Sequence, residues 1–353
     1  MRIVAAMSGG VDSSVAAALL QDQGHEVVGL SMQLYDQQEG SASFGSCCSI
    51  DDLHDARRVA AQLGFPHYII NLEREFNDHV ISSFVRDYTA ARTPIPCVRC
   101  NGELKFAHLL DRARGFDATS VATGHYARVE HQGEAGYVLK RGLDRDKDQS
   151  YFLFTLTQDQ LVGARFPLGE LTKPDVRAYA AARHLSVADK PDSHEICFVP
   201  DGDYAAFVER HAPDAAGSGP ITDTEGRVLG QHRGVHHYTV GQRKGLGVSS
   251  AIPLYVVNMD AESSTVTVGP RQALERTGLT ASDVNWISGR APEGPSRIGA
   301  QIRHRHKAAS ATLRPDGTSR AAVEFDTPQP AVSPGQAVVF YDGDVVIGGG
   351  WID

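Results

Sequence analysis

Apolar positions in the first 200 residues come in two alternating rhythms. Residues 2–7 (RIVAAM), 26–34 (EVVGLSMQL), 67–72 (HYIINL) and 118–126 (ATSVATGHY) are short runs that read as strands, the first of them buried and the last ending in a turn. Between them, residues 12–23, 51–63, 75–90, 101–114 and, further on, 174–184 carry helical spacing. Gly24 and Gly64 stand where the first two helices should stop. Strands separated by helices imply right-handed crossovers, which predicts an α/β, doubly wound parallel-sheet domain. After about residue 200 the rhythm changes. YTVGQRKGLG, LYVVNMD and TVTVG predict a small β-rich segment, and AAVEFD, AVVFYDG and VVIGGGWI predict short strands of a second β segment, a small barrel or sandwich, towards the end. The divisions expected are 1–205, 206–275 and 276–353, with APDAAGSGP (212–220) as linker-like composition.

Composition narrows the class. The chain has 353 residues, 41% apolar and 22% charged, which is ordinary for a folded protein of two or three domains. No run of about 18 apolar residues is present, and the amino terminus lacks the longer apolar core of a signal peptide. The expected compartment is the cytoplasm, with no membrane partner. Five cysteines, an odd number, argue for thiol chemistry or metal binding over a stapled secreted fold. The formal charge of −9 argues against coating a nucleic acid by bulk positive charge.

The strongest local motif is Ser8-Gly9-Gly10-Val11-Asp12-Ser13-Ser14, between the first strand and the first helix. Two glycines let the backbone come close to a ligand. The helix N-terminus behind them offers free N–H groups and partial positive charge, which suits a pyrophosphate. No Gly-Lys-Ser/Thr follows, so the loop is not a Walker A motif. It resembles the SGGxDS loop of the pyrophosphate-loop ATPases, which split ATP between the α and β phosphates to adenylate an oxygen. That resemblance implies Mg²⁺ alongside ATP, with Asp12 as a candidate ligand and no permanently bound cofactor. The bland alternative is a glycine turn with a Ser/Asp helix cap.

The cysteines leave more readings open. Cys97 and Cys100 form a CxxC with no second CxxC to complete a zinc site. Cys100 is expected where the 101–114 helix begins, a position that lowers a thiol pKa, with Arg99 and Lys105 nearby. Cys197, in Asp192-Ser193-His194-Glu195-Ile196-Cys197-Phe198, is a candidate distant partner or an inert buried thiol. Cys47 and Cys48 read as structural.

Taken with AMSGGVDSS (6–14), CCS (47–49), RTPIPCVRCNGELKF (92–106), ATGHYAR (122–128), KDQSYFL (147–153), FPLGELTK (166–173), DSHEICF (192–198) and YTVGQRKGLG (238–247), the chain resembles the tRNA-specific 2-thiouridylase family over nearly its whole length. The resemblance implies a pyrophosphate-loop domain, a small central domain and a C-terminal β-barrel. It implies ATP-dependent 2-thiolation of the wobble uridine, position 34, of tRNA. The implied ATP contacts are Ala6, Met7, Ser8, Gly9, Gly10, Val11, Asp12, Ser13, Met32 and Gly124. Cys100 matches the nucleophile and Cys197 the persulfide carrier, the two forming a transient disulfide. Ile95, Pro96 and Cys97 match the segment at the target base. His125, Lys147, Asp148, Gln149, Arg303, His304 and Gln336 match tRNA contacts. The implied partners are tRNAs for Lys, Glu and Gln, and a cysteine desulfurase or sulfur-relay protein as donor.

Two positions depart from the family pattern: Ile95 replaces an asparagine, removing an amide near the base, and His304 replaces a tyrosine. Because the two cysteines must meet, segments around 92–100 and 190–200 are expected to be mobile. Two stretches carry local positive charge despite the net −9. Residues 281–314 hold Arg290, Arg297, Arg303, Arg305, Lys307 and Arg314 against Asp283 and Glu293. Residues 227–247 hold Arg227, Arg233, Arg243 and Lys244 with no acid. Such stretches either contact RNA phosphates or are ordinary solvated faces. Three rivals remain: a pyrophosphate-loop ligase acting on a small carboxylate, a non-catalytic tRNA-binding protein with a relic loop, and a metal-binding redox module on Cys97 and Cys100.

Overall fold

The computed structural model describes residues 1–35, 50–192, 196–199, 201–213 and 217–353. Cys47, Cys48, Asp36, Glu39, Ser193, His194 and Glu195 lie outside the described residues.

The first domain is built on a five-stranded parallel sheet. Its strands are β1 (Arg2–Ala6), β2 (Glu26–Gln33), β3 (His67–Asn71), β4 (Ser120–Ala122) and, at the far edge, β7 (Ala164–Arg165), in the order β3-β2-β1-β4-β7. Alternation along a strand sends successive side chains to opposite faces. Ile3 and Ala5 therefore pack with α1 (Val11–Asp22) and α2 (Ile50–Leu63), while Val4 packs with Met32, Phe76, Phe84 and Leu104 on the other side. Both faces of the inner strands are covered, which is why β1 and β2 read as continuous apolar runs and not as alternation, whereas the edge strand β3 leaves Tyr68 and Ile69 exposed.

Two helices on the second face contain π-helical stretches. One covers 73–89 with π geometry at Asn77–Ile81, and the other covers 96–114 with π geometry at Cys100–Phe106. An added residue per turn of this kind often marks functional helices.

The expected strand at 118–126 divides in two. β4 ends at Ala122, and β5 (Ala127–His131) starts a hairpin with β6 (Tyr137–Arg141) that leaves the parallel sheet altogether. β6 instead joins the C-terminal sheet, Lys140 opposite Val345.

The central module is a four-stranded sheet of β8 (Gly219–Thr222), β9 (Val228–His232), β10 (Tyr255–Asp260) and β11 (Thr265–Gly269), in the order β10-β11-β8-β9. Its small core takes in Ala91, at the end of the 73–89 helix. The C-terminal strands are β12 (Glu275–Trp286), β13 (Ser296–Gln301), β14 (Ala309–Asp316), β15 (Arg320–Pro330), β16 (Ala337–Asp342) and β17 (Val345–Ile352). They run β12-β15-β14-β13-β16-β17, and β17 pairs back onto β12, closing a six-stranded barrel and removing its free edges.

The seam between barrel and first domain is a core in its own right. Tyr151, Phe154 and Leu156 are fully buried beside Ala337, Val339 and Tyr341. At about 25 cal/mol per Å² of apolar area, such aromatic burial outweighs what surface ion pairs contribute.

Candidate nucleotide and thiol site

Ser8 to Asp12 forms the turn from β1 into α1, as the motif predicts. Gly9 has φ +74°, and a Cβ there would stand 2.1 Å from the Asp52 carbonyl oxygen of α2. Gly124, in the turn after β4, presses equally closely on the start of α1: its Cβ would lie 2.6 Å from the Ser13 nitrogen. The two glycines thus let α1, α2 and the β4 turn converge on one concave backbone. Gly10 is the N-cap and supplies no side chain, so the first N–H groups of α1 stay available to a ligand. Ser13 Oγ accepts from Ser8 N (3.1 Å), while Ser14 Oγ donates to the Gly10 carbonyl (2.9 Å), both fastening the turn from within.

A ring of ion pairs surrounds this loop, and its members are far apart in the chain. Lys173 Nζ donates to both Asp12 oxygens (2.7 and 2.8 Å) and meets Asp192 Oδ1 at 2.7 Å. Asp192 also takes Lys147 (2.7 Å) and Arg177 (3.1 Å). Burial alone would raise the Asp192 pKa, but Lys147 and Lys173 outweigh it and hold it at about 2. Tyr126 OH donates to Asp12 (2.9 Å), and burial together with that carboxylate pushes the phenol pKa up. On the opposite side, Lys190 Nζ donates to the Gly9 carbonyl (3.1 Å), to Asp52 and to Asp55 (2.6 Å).

Asp52 and Asp55 of α2 are therefore not merely solvated acids, because they neutralise Lys190. Lys173, Lys190, Asp192 and Tyr126 were not singled out from the sequence as nucleotide-loop residues. The only local sign was Thr172-Lys173-Pro174-Asp175, a capping box that places Lys173 at the first position of its helix.

The thiols sit on the other face of the sheet. Cys100 is buried, and the helix bearing it starts at Pro96, not at residue 101. This corrects the expected placement. A proline pre-set for a first helical position moves the start five residues upstream, so Cys97 and not Cys100 occupies the first turn. The N-terminal field fades within that turn, so it does not account for a special reactivity of Cys100. Of the charges expected to assist, Arg99 is engaged by other groups. Arg99 pairs with Glu103 (2.9 Å) and lies over the Trp351 ring (4.8 Å), and Lys105 bears on His125.

Cys100 belongs to the buried cluster that includes Met32 and Phe198, and Ile196 and Cys197 pack against that same cluster. Cys97, Cys100 and Cys197 are present as thiols, with no disulfide among the described residues.

The start of the 92–100 stretch is hydrogen-bonded to the barrel. Thr93 N donates to the Pro334 carbonyl (2.8 Å), and Gln336 Nε2 donates to the Thr93 carbonyl (3.0 Å). Arg92 also reaches the Ile352 carbonyl (2.9 Å). Gln336 is thus engaged with the segment that holds Ile95, Pro96 and Cys97. Ile95 packs partly buried against the seam core, Pro96 is buried and Cys97 is exposed.

The remaining residues gather in two places. His125 is wedged beside Phe106 and Phe166 and bonded to Thr123 (2.7 Å). Burial, aided by Lys105, pushes its pKa down to about 3, so the ring is neutral. Asp148 is 8% exposed and faces inward, accepting from Arg141 (2.8 Å), Gly142 N and Ser150. Arg141 stacks on Tyr341 (3.4 Å) and donates to Gln301, which in turn donates to the His304 carbonyl (2.8 Å). His304 is exposed and lies against Phe152 (4.5 Å), and Arg303 donates to the Pro330 carbonyl. Gln149 brackets Tyr126. The structure therefore brings 147–149 and 303–304 to one seam between the first domain and the barrel.

The two basic stretches differ in what they offer. Arg297 and Arg314 are paired with Asp326 and Glu324, and Arg227 with Asp223 and Glu225. Arg233, Arg243, Lys244, Arg305 and Lys307 are exposed without an ion-pair partner among the described residues.

A parallel α/β domain with a phosphate-type loop, followed by a small β module and a closed barrel, defines a three-part class of loop-bearing α/β protein. Family profiles match in the same order: "tRNA methyl transferase HUP domain" over 1–201, "tRNA methyl transferase PRC-barrel domain" over 205–270 and "Aminomethyltransferase beta-barrel domain" over 276–352. Proteins named tRNA-specific 2-thiouridylase MnmA are similar over the full length. The one from Geotalea uraniireducens is 54% identical over 100% of this chain and 95% of its own. Those from Geobacter metallireducens and Acidobacterium capsulatum are 53% and 50% identical, covering 100% and 99% of this chain and 96% and 98% of theirs. The chain belongs to the tRNA-specific 2-thiouridylase family.

Proposed function

We propose that this protein catalyses ATP-dependent 2-thiolation of the wobble uridine, position 34, of tRNA. The observation that carries the reading is the packing of Cys100 and Cys197 on one buried cluster beneath a strand that also leads to the nucleotide loop.

The loop from Ala6 to Ser13, with Met32 and Gly124, would hold ATP, its backbone N–H groups facing the phosphates. Asp12 supplies the carboxylate that Mg²⁺ bound to substrate phosphates ordinarily takes, and it fits that use if Lys173 yields part of its contact. Bound there, Mg²⁺ would screen phosphate charge. The C2 oxygen of uridine attacks the α-phosphorus and diphosphate leaves, giving an O-adenylated base. The terminal sulfur of a Cys197 persulfide attacks C2, AMP leaves, and the base is joined to Cys197 through two sulfurs. Cys100 then attacks the Cys197 sulfur, freeing the thiolated base and leaving a Cys100–Cys197 disulfide. An external dithiol reductant returns both thiols. Release of hydrogen sulfide beside the adenylated base is the variant route.

Ile95, Pro96 and Cys97 would meet the base, which must leave the anticodon stack. Lys147, Gln149, Arg303 and His304 lie where RNA would cross the seam. Asp148, His125 and Gln336 would act there chiefly by shaping the backbone, since their side chains are turned inward. The sulfur donor would be a cysteine desulfurase or relay protein, and the tRNAs those for Lys, Glu and Gln. The cytoplasm is the compartment that fits these partners.

The test incubates the protein with ATP, Mg²⁺, a persulfide donor and unmodified tRNA, and seeks 2-thiouridine by mass spectrometry. Cys197→Ser should keep ATP and tRNA binding, carry no persulfide and form no thiouridine. An active Cys197→Ser enzyme, or one that adenylates a small carboxylate instead, would overturn the reading.

A further inference from the structure

Three side chains outside the nucleotide and thiol site converge where the first domain meets the central module. Glu209 lies in the helix Tyr204–His211, and His236 and His237 lie in the 3₁₀ turn Val235–His237. Glu209 Oε1 is 3.4 Å from His236 Nε2 and 3.0 Å from His237 Nε2, and one donor atom from each residue lies within 4.8 Å of the others. His236 is 1% exposed and its Nδ1 has no hydrogen-bond partner. Glu209 and His237 are half-buried, leaving a path from solvent. The turn is shaped around these rings. A Cβ on Gly234 would lie 2.3 Å from His236 Cε1, so the imidazole occupies the space a side chain would need.

Two imidazole nitrogens and one carboxylate oxygen form a donor set for borderline divalent metals, zinc foremost, and a poor one for Mg²⁺ or Ca²⁺. A tetrahedral ion about 2.1 Å from each atom needs them about 3.4 Å apart. The two measured separations meet that within a few tenths of an ångström. The competing arrangement has one carboxylate oxygen accepting from both Nε2–H groups; Nδ1 of His236 lacks a partner in either arrangement, so the donor set and its spacing carry the assignment.

We propose that Glu209, His236 and His237 bind a divalent transition metal, with water in the fourth position, as a clamp between the 204–211 helix and the central module. This is separate from the thiolation chemistry and stands whether or not that reading holds. The same helix buries Phe207 beside Phe84 and Phe198, so the clamp would fix the central module to the face of the sheet that carries the thiols.

The experiment titrates the metal-free full chain with zinc, and separately with cobalt(II). Cobalt at thiolates gives a sulfur-to-metal charge-transfer band, whereas cobalt at this site gives only d–d bands, so the two classes are read apart. One nitrogen/oxygen-type equivalent is expected, together with a rise in thermal midpoint on adding zinc. His237→Ala, at a half-buried position, should keep the metal-free midpoint, weaken binding at least about tenfold and abolish the zinc-induced rise. Glu209→Gln should do the same. Absence of the thiolate-free cobalt spectrum, or unchanged metal affinity in both variants, would overturn the proposal and leave two hydrogen bonds to Glu209.

Discussion

The nucleotide loop and the Cys100 helix lie on opposite sides of one sheet, yet they are held by different means. The loop is fastened inside its own domain. Gly9 and Gly124 bring three elements together, and Lys173, Lys190 and Asp192 tie them with charge. The start of the Cys100 helix is fastened from outside, by backbone and amide contacts from Pro334, Gln336 and Ile352 of the barrel. Electrostatic ties around a loop that binds an anion can be redistributed when the anion arrives. Carbonyl and amide ties to a closed barrel cannot be redistributed in that way. The nucleotide side is therefore built to exchange partners, and the segment assigned to the target base is built to keep its place.

The sharpest test of the first half is Gly9→Ala. A left-handed φ and a contact 2.1 Å from a backbone oxygen cannot both be relieved without moving α2. Nucleotide affinity should fall at least about tenfold by calorimetry, with the barrel seam undisturbed. Arg141→Met tests the second half. It leaves the buried Asp148 carboxylate without its cation, and chemical denaturation should show a loss of about 3 kcal/mol while ATP affinity in the folded protein stays unchanged. Gln336→Ala removes one hydrogen bond to Thr93. At about 1 kcal/mol, kcat/KM for tRNA should fall about fivefold without change in ATP affinity.

The smallest effect is in pH dependence. The Asp192 pKa is held at about 2 in the folded state, below the ordinary carboxylate value of about 3.9. Its contribution to stability is therefore present above about pH 4 and is lost as pH falls towards 2. Asp192→Asn should flatten that acid limb of the unfolding curve and lower stability near neutrality, where the contribution is fully present, by less than about 1 kcal/mol. If Gly9→Ala weakens tRNA binding more than nucleotide binding, or Gln336→Ala does the reverse, the division between the two sides fails.

The net charge of −9 illustrates how little a whole-chain quantity says about partners. Acids such as Asp52, Asp55 and Asp192 are spent on internal lysines, whereas Arg233, Arg243, Lys244, Arg305 and Lys307 remain exposed.

The alternating strand and helix pattern, the β1–loop–α1 turn and the change to β structure after residue 200 were legible in the chain because period-2 and period-3.6 patterns and a contiguous glycine motif are local properties. The helix start at Pro96 was misjudged by a few residues because a proline there reads equally as loop or as first helical position. The 127–141 hairpin was missed because its strands are paired by a barrel that closes two hundred residues later. Only the tertiary structure decided that Lys173 meets Asp12 across 161 positions, Lys190 the Gly9 carbonyl across 181, and Gln336 the Thr93 carbonyl across 243. Sequence by itself determined which short elements form and what chemistry they carry. Which charges are neutralised, and which segment is held still, depended on contacts between residues whose spacing along the chain says nothing about their distance in space.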